Sequence, residues 1–183
     1  RQIIAVALAR AGAKVAVEGV ALVQERVLRV VETFGGEALP VRGSLTNSSD
    51  VSHVLSNIEA VMGPVDILVN AAGSNSSKSL EEISSGEWKD VLASRAEPAL
   101  LCAQAITPGM KDRGFGHVIS VCPAPSAAGG FNSTVTAAST HALIGFSNSR
   151  SRELSRTGIR VALLCTEGPI NGQAHEESGG IVP

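Results

Sequence analysis

Apolar positions along the chain recur in two periods, and each switch between periods marks an element. Ile4, Leu8 and Ala11 share one face of a helix over residues 1–11, which Gly12 stops. Residues 14–17 are a short apolar strand. Val23, Val27, Val30, Val31 and Phe34 return to helical spacing until Gly35-Gly36, and residues 38–41 form a second strand. The polar run Thr46-Asn47-Ser48-Ser49-Asp50 then caps a helix carrying Val51, Val54, Leu55, Ile58, Val61 and Met62, which Gly63-Pro64 breaks. Residues 65–70 are almost continuously apolar, the pattern of a strand covered on both faces of a parallel sheet. A polar loop at 74–79 leads to a helix over 87–110, where Pro98 is expected to introduce a kink or a stop near Glu97. A strand at 117–121, a Pro/Gly/Ala-rich loop, a helix at 135–156 and a strand at 159–164 follow. The tail, 166–183, is Gly-rich and polar and reads as a loop or lid. Strands separated by helices, without linker or repeat, predict one α/β domain over 1–183 built on a doubly wound parallel sheet. Ligands of such sheets bind beyond the carboxyl ends of the strands.

Composition narrows this picture. The 183 residues carry a formal net charge of -2, which argues against a nucleic-acid binder, and no apolar run has bilayer-spanning length. Cys102, Cys122 and Cys165 have no CxxC spacing and read as reduced thiols of an intracellular protein, cytoplasmic or in an organelle matrix. His53, His117 and His175 lack companions at ligand spacing, so no metal site is expected. The chain contains no tyrosine.

The sequence Asp66-Ile67-Leu68-Val69-Asn70-Ala71-Ala72-Gly73 resembles the strand and NxAG turn of the short-chain dehydrogenase/reductases. Around it stand Gly12-Ala13-Lys14-Val15, Trp88-Lys89-Asp90-Val91-Leu92, Gly116-His117-Val118-Ile119, Ala142-Leu143-Ile144-Gly145-Phe146, Ser151-Arg152-Glu153-Leu154 and Gly158-Ile159-Arg160-Val161. The series keeps the order and spacing of that family over nearly the whole chain, and is most similar to the 3-oxoacyl-[acyl-carrier-protein] reductase type. The resemblance implies a Rossmann-like fold and an NAD(P)-dependent oxidoreductase of carbonyl or hydroxyl substrates. It places Asn70, Ala71, Ala72 and Gly73 along the cofactor crevice, and Gly168, Pro169 and Ile170 at the turn flanking the nicotinamide. It also implies assembly into homo- or hetero-oligomers through helices 87–110 and 135–156, where Ala99, Leu100, Ala103, Ala137, Ala138 and Ala142 offer small and apolar surface.

The departures from that pattern weigh more than the matches. The family's catalytic tyrosine and lysine fall on Thr136 and Thr140, its serine on Pro123 and its asparagine on Arg95. A threonine hydroxyl is a far weaker acid than a phenol of pKa about 10, and proline has no side-chain donor. With no tyrosine anywhere, a shifted alignment restores nothing. Glu18-Gly19-Val20 supplies neither the usual Asp for NAD nor an Arg for a 2′-phosphate, and Ser44 stands where an Asp is usual near the adenine. NAD or NADP is thus the cofactor by resemblance, with its binding in this chain in doubt. Arg95 reads as a solvated helix-surface residue. Cys122, near His141, or Thr136 is the nucleophile only under a less favoured reading of altered chemistry. The favoured reading is a family member with a disabled site, and the alternative is a non-catalytic scaffold or regulatory subunit assembling with active relatives.

The glycine-rich phosphate turn and the first strand are expected before Arg1, and a seventh strand after the tail, so the chain reads as part of a longer polypeptide. In the strand order 3-2-1-4-5-6 the first strand pairs with both the second and the fourth. Without it, the backbone groups of the strands at Lys14 and Val65 are left unpaired, or the sheet splits.

Overall fold

The computed structural model describes residues 2–123 and 129–166. In chain order the elements are α1 (Gln2–Arg10), β1 (Val15–Glu18), α2 (Ala21–Glu32), β2 (Ala38–Val41), α3 (Ser48–Met62), β3 (Ile67–Asn70), a 3-10 turn (Leu80–Glu82), α4 (Ser85–Arg113), β4 (Gly116–Pro123), α5 (Thr134–Leu154) and β5 (Ile159–Thr166). Every pairing is parallel, but the strands form two sheets: β1 with β2, and β3-β4-β5 in that order. No described strand lies between β1 and β3. Of the two expected outcomes, unpaired backbone groups or a divided sheet, the described strands show the divided sheet.

That division sets the burial of β3. The apolar run at 65–70 was expected to be covered on both faces. Instead Ile67 is 39% exposed, and only Asn70 of the strand is buried. The reason is topological: β3 pairs with β4 alone and is an edge of its sheet.

Each half has its own core. Ala9, Val15, Val17, Val27 and Val31 cluster between α1, α2 and the small sheet. Gln24 is buried there, and its Nε2 donates to the carbonyls of Val17 at 2.9 Å and Val41 at 2.7 Å, tying β1 to β2. In the other half Ile106, Met110, Val118, Leu154 and Ile159 join α4, α5 and the three-stranded sheet. Helix α3 packs against both β2 and α4 and so bridges the halves. Asn47 caps it, its Oδ1 accepting from the backbone N–H groups of Ser49 at 2.9 Å and Asp50 at 3.2 Å.

Helix α4 does not stop at Glu97. It runs 29 residues through both Pro98 and Pro108. A proline removes one i→i−4 bond without ending a helix whose neighbours hold it. Pro98 is itself buried, among Arg95, Ala99 and Cys102, and packing of this face against α5 keeps the helix continuous. None of the described helices is long and apolar enough to cross a membrane.

Candidate functional site

The carboxyl ends of β3, β4 and β5 lie side by side, with Asn70 opposite Ser120, Cys122 opposite Cys165 and Pro123 opposite Thr166. Over this edge pass the segment after β3, the first half of α4 and the start of α5. Arg95, Thr136 and Thr140, three of the four residues that the resemblance aligns with catalytic positions, meet here through hydrogen bonds, with one another or with the segment after β3.

Arg95 is not a solvated surface residue: it is 4% exposed. Helix α4 turns it inward because Val91, Arg95, Pro98, Ala99 and Cys102 share its buried face. Its guanidinium donates from Nη1 to Ser139 Oγ on α5, and from Nη2 to Asn75 Oδ1 at 2.9 Å. It also lies against Gly73, where a Cβ would stand 2.7 Å from Arg95 Nε. Gly73 has φ +133°, so the close approach and the backbone conformation both demand glycine.

Thr136 is buried, and both hydrogen-bonding capacities of its hydroxyl go to a single residue. Oγ1 accepts from the Ser76 backbone N–H at 2.8 Å and donates to the Ser76 carbonyl at 3.0 Å. Thr140 is fully buried, and its hydroxyl donates to the Thr136 carbonyl at 2.9 Å within α5. Ser139 donates to the same carbonyl at 2.9 Å while accepting from Arg95. Ser74 completes the arrangement, its N–H reaching Ser94 Oγ at 3.0 Å. The segment between β3 and the 3-10 turn is thereby fastened to α4 at Ser94 and Arg95, and to α5 at Thr136.

Sequence reading missed the roles of Asn75, Ser76, Ser94 and Ser139. The only signal was the density of small hydroxyl and amide side chains at 74–79, which also suits any polar loop. Glu87 anchors the outer side of this loop, accepting from Ser76 Oγ at 2.7 Å and from Lys78 Nζ at 2.8 Å. The Lys78 ammonium, then the Ser76 hydroxyl, hold the Glu87 carboxyl below its ordinary pKa, and Glu87 in turn holds Lys78 above its own.

The remaining candidates are placed as follows. Asn70 is 8% exposed at the end of β3, and its Nδ2 has no hydrogen-bond partner among the described residues. Ala71 and Ala72 follow, half-buried. Pro123 is buried at the end of β4. Gly168, Pro169 and Ile170, like all of the tail from 167 onward, lie outside the described residues, whereas Thr166, expected in the tail, is the last residue of β5. Ser44 is engaged locally, its N–H donating to Asp50 Oδ2 at 3.0 Å beside the α3 cap. His141 is exposed, with Nδ1 2.9 Å from the Ala137 carbonyl of its own helix. Burial pushes the Cys122 thiol up to about 11, with the Cys165 sulfur adding to the shift and Arg95 opposing it. Burial likewise raises Cys102 to about 11, and the charge of Glu18 adds to it.

Small residues at a strand end serve a dinucleotide by letting a flat group approach the backbone. At Gly73 that approach is taken by the Arg95 guanidinium, and above it Ser76 is bonded to Thr136. The Asn70 amide, without a partner among the described residues, is compatible with a polar ligand, while the space against Gly73 is occupied by the Arg95 side chain.

The comparisons with known proteins bear on the same stretch of chain. Residues 2–178 match the short chain dehydrogenase family. The chain is 30% identical over 161 residues to the 3-oxoacyl-[acyl-carrier-protein] reductase FabG of Salmonella typhimurium, covering 88% of this chain and 65% of the relative. It is 28% identical over 166 residues to the granaticin polyketide synthase putative ketoacyl reductase 1 of Streptomyces violaceoruber, covering 86% of this chain and 61% of that protein. It thus spans about three fifths of the length of curated relatives that it matches. Among solved structures, a metagenomic short-chain oxidoreductase in complex with NADP superposes with a TM-score of 0.84 at 25% identity, over 91% of this chain and 76% of that one. A family match over nearly the whole chain, carried on a parallel-stranded α/β fold of the same shape, is decisive: this chain belongs to the short-chain dehydrogenase/reductase family.

Proposed function

We propose that this family member does not perform the tyrosine-dependent hydride-transfer reaction, because its former reaction centre serves as a structural brace. The observation that carries this reading is the Thr136 hydroxyl, which both accepts from and donates to the backbone of Ser76. A general acid must present its proton to substrate. Thr136 presents its proton to a carbonyl of its own chain, and the family's lysine and serine positions carry a threonine at 140 and a proline at 123. Arg95, at the asparagine position, completes the brace through Ser139 and Asn75. The relatives named above are reductases, so carbonyl substrates with NAD(P)H are the class against which the loss is measured.

Asn70, Ala71, Ala72 and Gly73 are the residues that would line a dinucleotide crevice, and the placement of Arg95 over Gly73 supports weak binding or none. The test is thermal unfolding with and without excess NADPH or NADH, alongside an assay of carbonyl reduction. A cofactor binding only the folded state at about 100 times its dissociation constant adds about 2.7 kcal/mol, worth several degrees at this size. We expect no shift and no turnover. A clear shift with turnover above the buffer rate overturns the reading.

A second reading, a non-catalytic subunit that pairs with relatives through α4 and α5, is favoured by Leu100, 43% exposed on α4, and by exposed Ala142 on α5. Ala99 and Ala103 are buried within the subunit and contribute no such surface, a correction to their expected role. Co-purification with an intact relative, lost on Leu100→Asp, is its expected outcome.

A further inference from the structure

Cys122 and Cys165 occupy the same register on β4 and β5, one position before the last residue pair of the two strands. Their sulfurs are 3.4 Å apart, in hydrogen-bond contact. Cys122 is fully buried, whereas Cys165 is exposed to solvent. Paired strands run about 4.8 Å apart, inside the window of roughly 4.4–6.8 Å between Cα atoms that a disulfide requires. The two sulfurs thus need to close by little more than an ångström, at strand ends with only one further pair to hold them. Two facing thiols, one shielded and one open, are the arrangement of an attacked and a resolving cysteine.

We propose that Cys122 and Cys165 form a thiol pair that a peroxide converts to an intramolecular disulfide, a modification site distinct from the hydride-transfer chemistry of the family. The exposed Cys165 thiolate attacks hydrogen peroxide: an S–O bond forms, the O–O bond breaks, and the departing hydroxide is protonated to water. Cys122 then gives up its proton, and its sulfur attacks Cys165 Sγ. The S–S bond forms, the S–O bond breaks, and the second hydroxide leaves as water with that proton. The two sulfurs together lose two electrons and the peroxide gains two. Burial holds the Cys122 proton at neutral pH, so the second step quickens as pH rises toward about 11. The bond ties β4 to β5 immediately before Pro123 and Thr166, at the edge where the family's chemistry is placed.

The test is treatment of the reduced, purified chain with a modest excess of hydrogen peroxide, followed by alkylation under denaturing conditions and peptide mapping. The expected product is a monomer lighter by about 2 Da, with a Cys122–Cys165 peptide, one alkylatable thiol where the reduced chain has three, and full reversal by dithiothreitol. Cys102→Ser retains the linkage. Cys165→Ser, a conservative change at an exposed site, abolishes it. Three alkylatable thiols after treatment, a Cys165 driven to sulfinic or sulfonic acid without a linked peptide, or a disulfide between copies of the chain would each overturn the proposal. Its outcome is independent of NADPH binding, so it stands or falls apart from the function proposed above.

Discussion

At the scale of single residues, Thr136 shows how one hydroxyl can fasten a distant segment. Its hydroxyl closes a two-way hydrogen bond with one backbone unit, and replacing it by valine preserves shape while stranding the Ser76 N–H and carbonyl. An unsatisfied buried donor or acceptor costs roughly 1–3 kcal/mol, and the half-buried Ser76 groups fall at the lower end of that range, about 1 kcal/mol. Thr136→Val is therefore expected to lower stability by about that amount in urea titration and to loosen the 74–79 segment. An unchanged midpoint would mean that the brace contributes nothing. The threonines at 136 and 140 and the arginine at 95 were legible in the sequence as departures from a catalytic set. What Thr136 and Arg95 do instead was not legible, because their partners lie 20 to 60 residues away along the chain.

At the scale of elements, boundaries were read well where local rules act alone. The polar run before Val51 does supply the cap of α3 through Asn47, and residues 38–41 match β2. Helix α4 shows where local rules yield. A proline in mid-helix weakens one turn, and the buried face around Pro98 outweighs that loss. The turns that close α4 and α5 depend on each other in the same non-local way. Gly114 caps α4 at φ +64° and Gly158 precedes β5 at φ +77°, and a Cβ on Gly158 would run into the Gly114 carbonyl. Gly158→Ala adds backbone strain to a collision with main chain that has no rotamer to yield. It is expected to cost more than about 2 kcal/mol by thermal unfolding. A loss of only a few tenths would show that the two turns separate freely.

At the scale of the whole molecule, the divided sheet governs. Strands β1 and β2 have one pairing partner each, while β4 is paired on both sides. Two-stranded pairs are marginal by themselves, and opening free energies follow how well an element is held. Native-state hydrogen exchange is therefore expected to be slowest along Val118–Cys122 and markedly faster along Val15–Glu18. Equal protection in both sheets would contradict two separate cores bridged by α3.

The sequence by itself determined the class of fold and the family, and it shows that the chain has no tyrosine, because periodicity, turn residues and side-chain chemistry are local properties that survive without coordinates. The sequence left two arrangements open for β1 and β3, unpaired backbone groups or a divided sheet, and the structure shows the second. Tertiary structure alone decided that Arg95 is buried rather than solvated, that Gly73 receives a guanidinium, and that Pro98 sits inside a continuous helix. It also placed Cys122 within 3.4 Å of Cys165. Each of these depends on which distant faces meet, and that is fixed by packing between elements rather than by the pattern within any one of them.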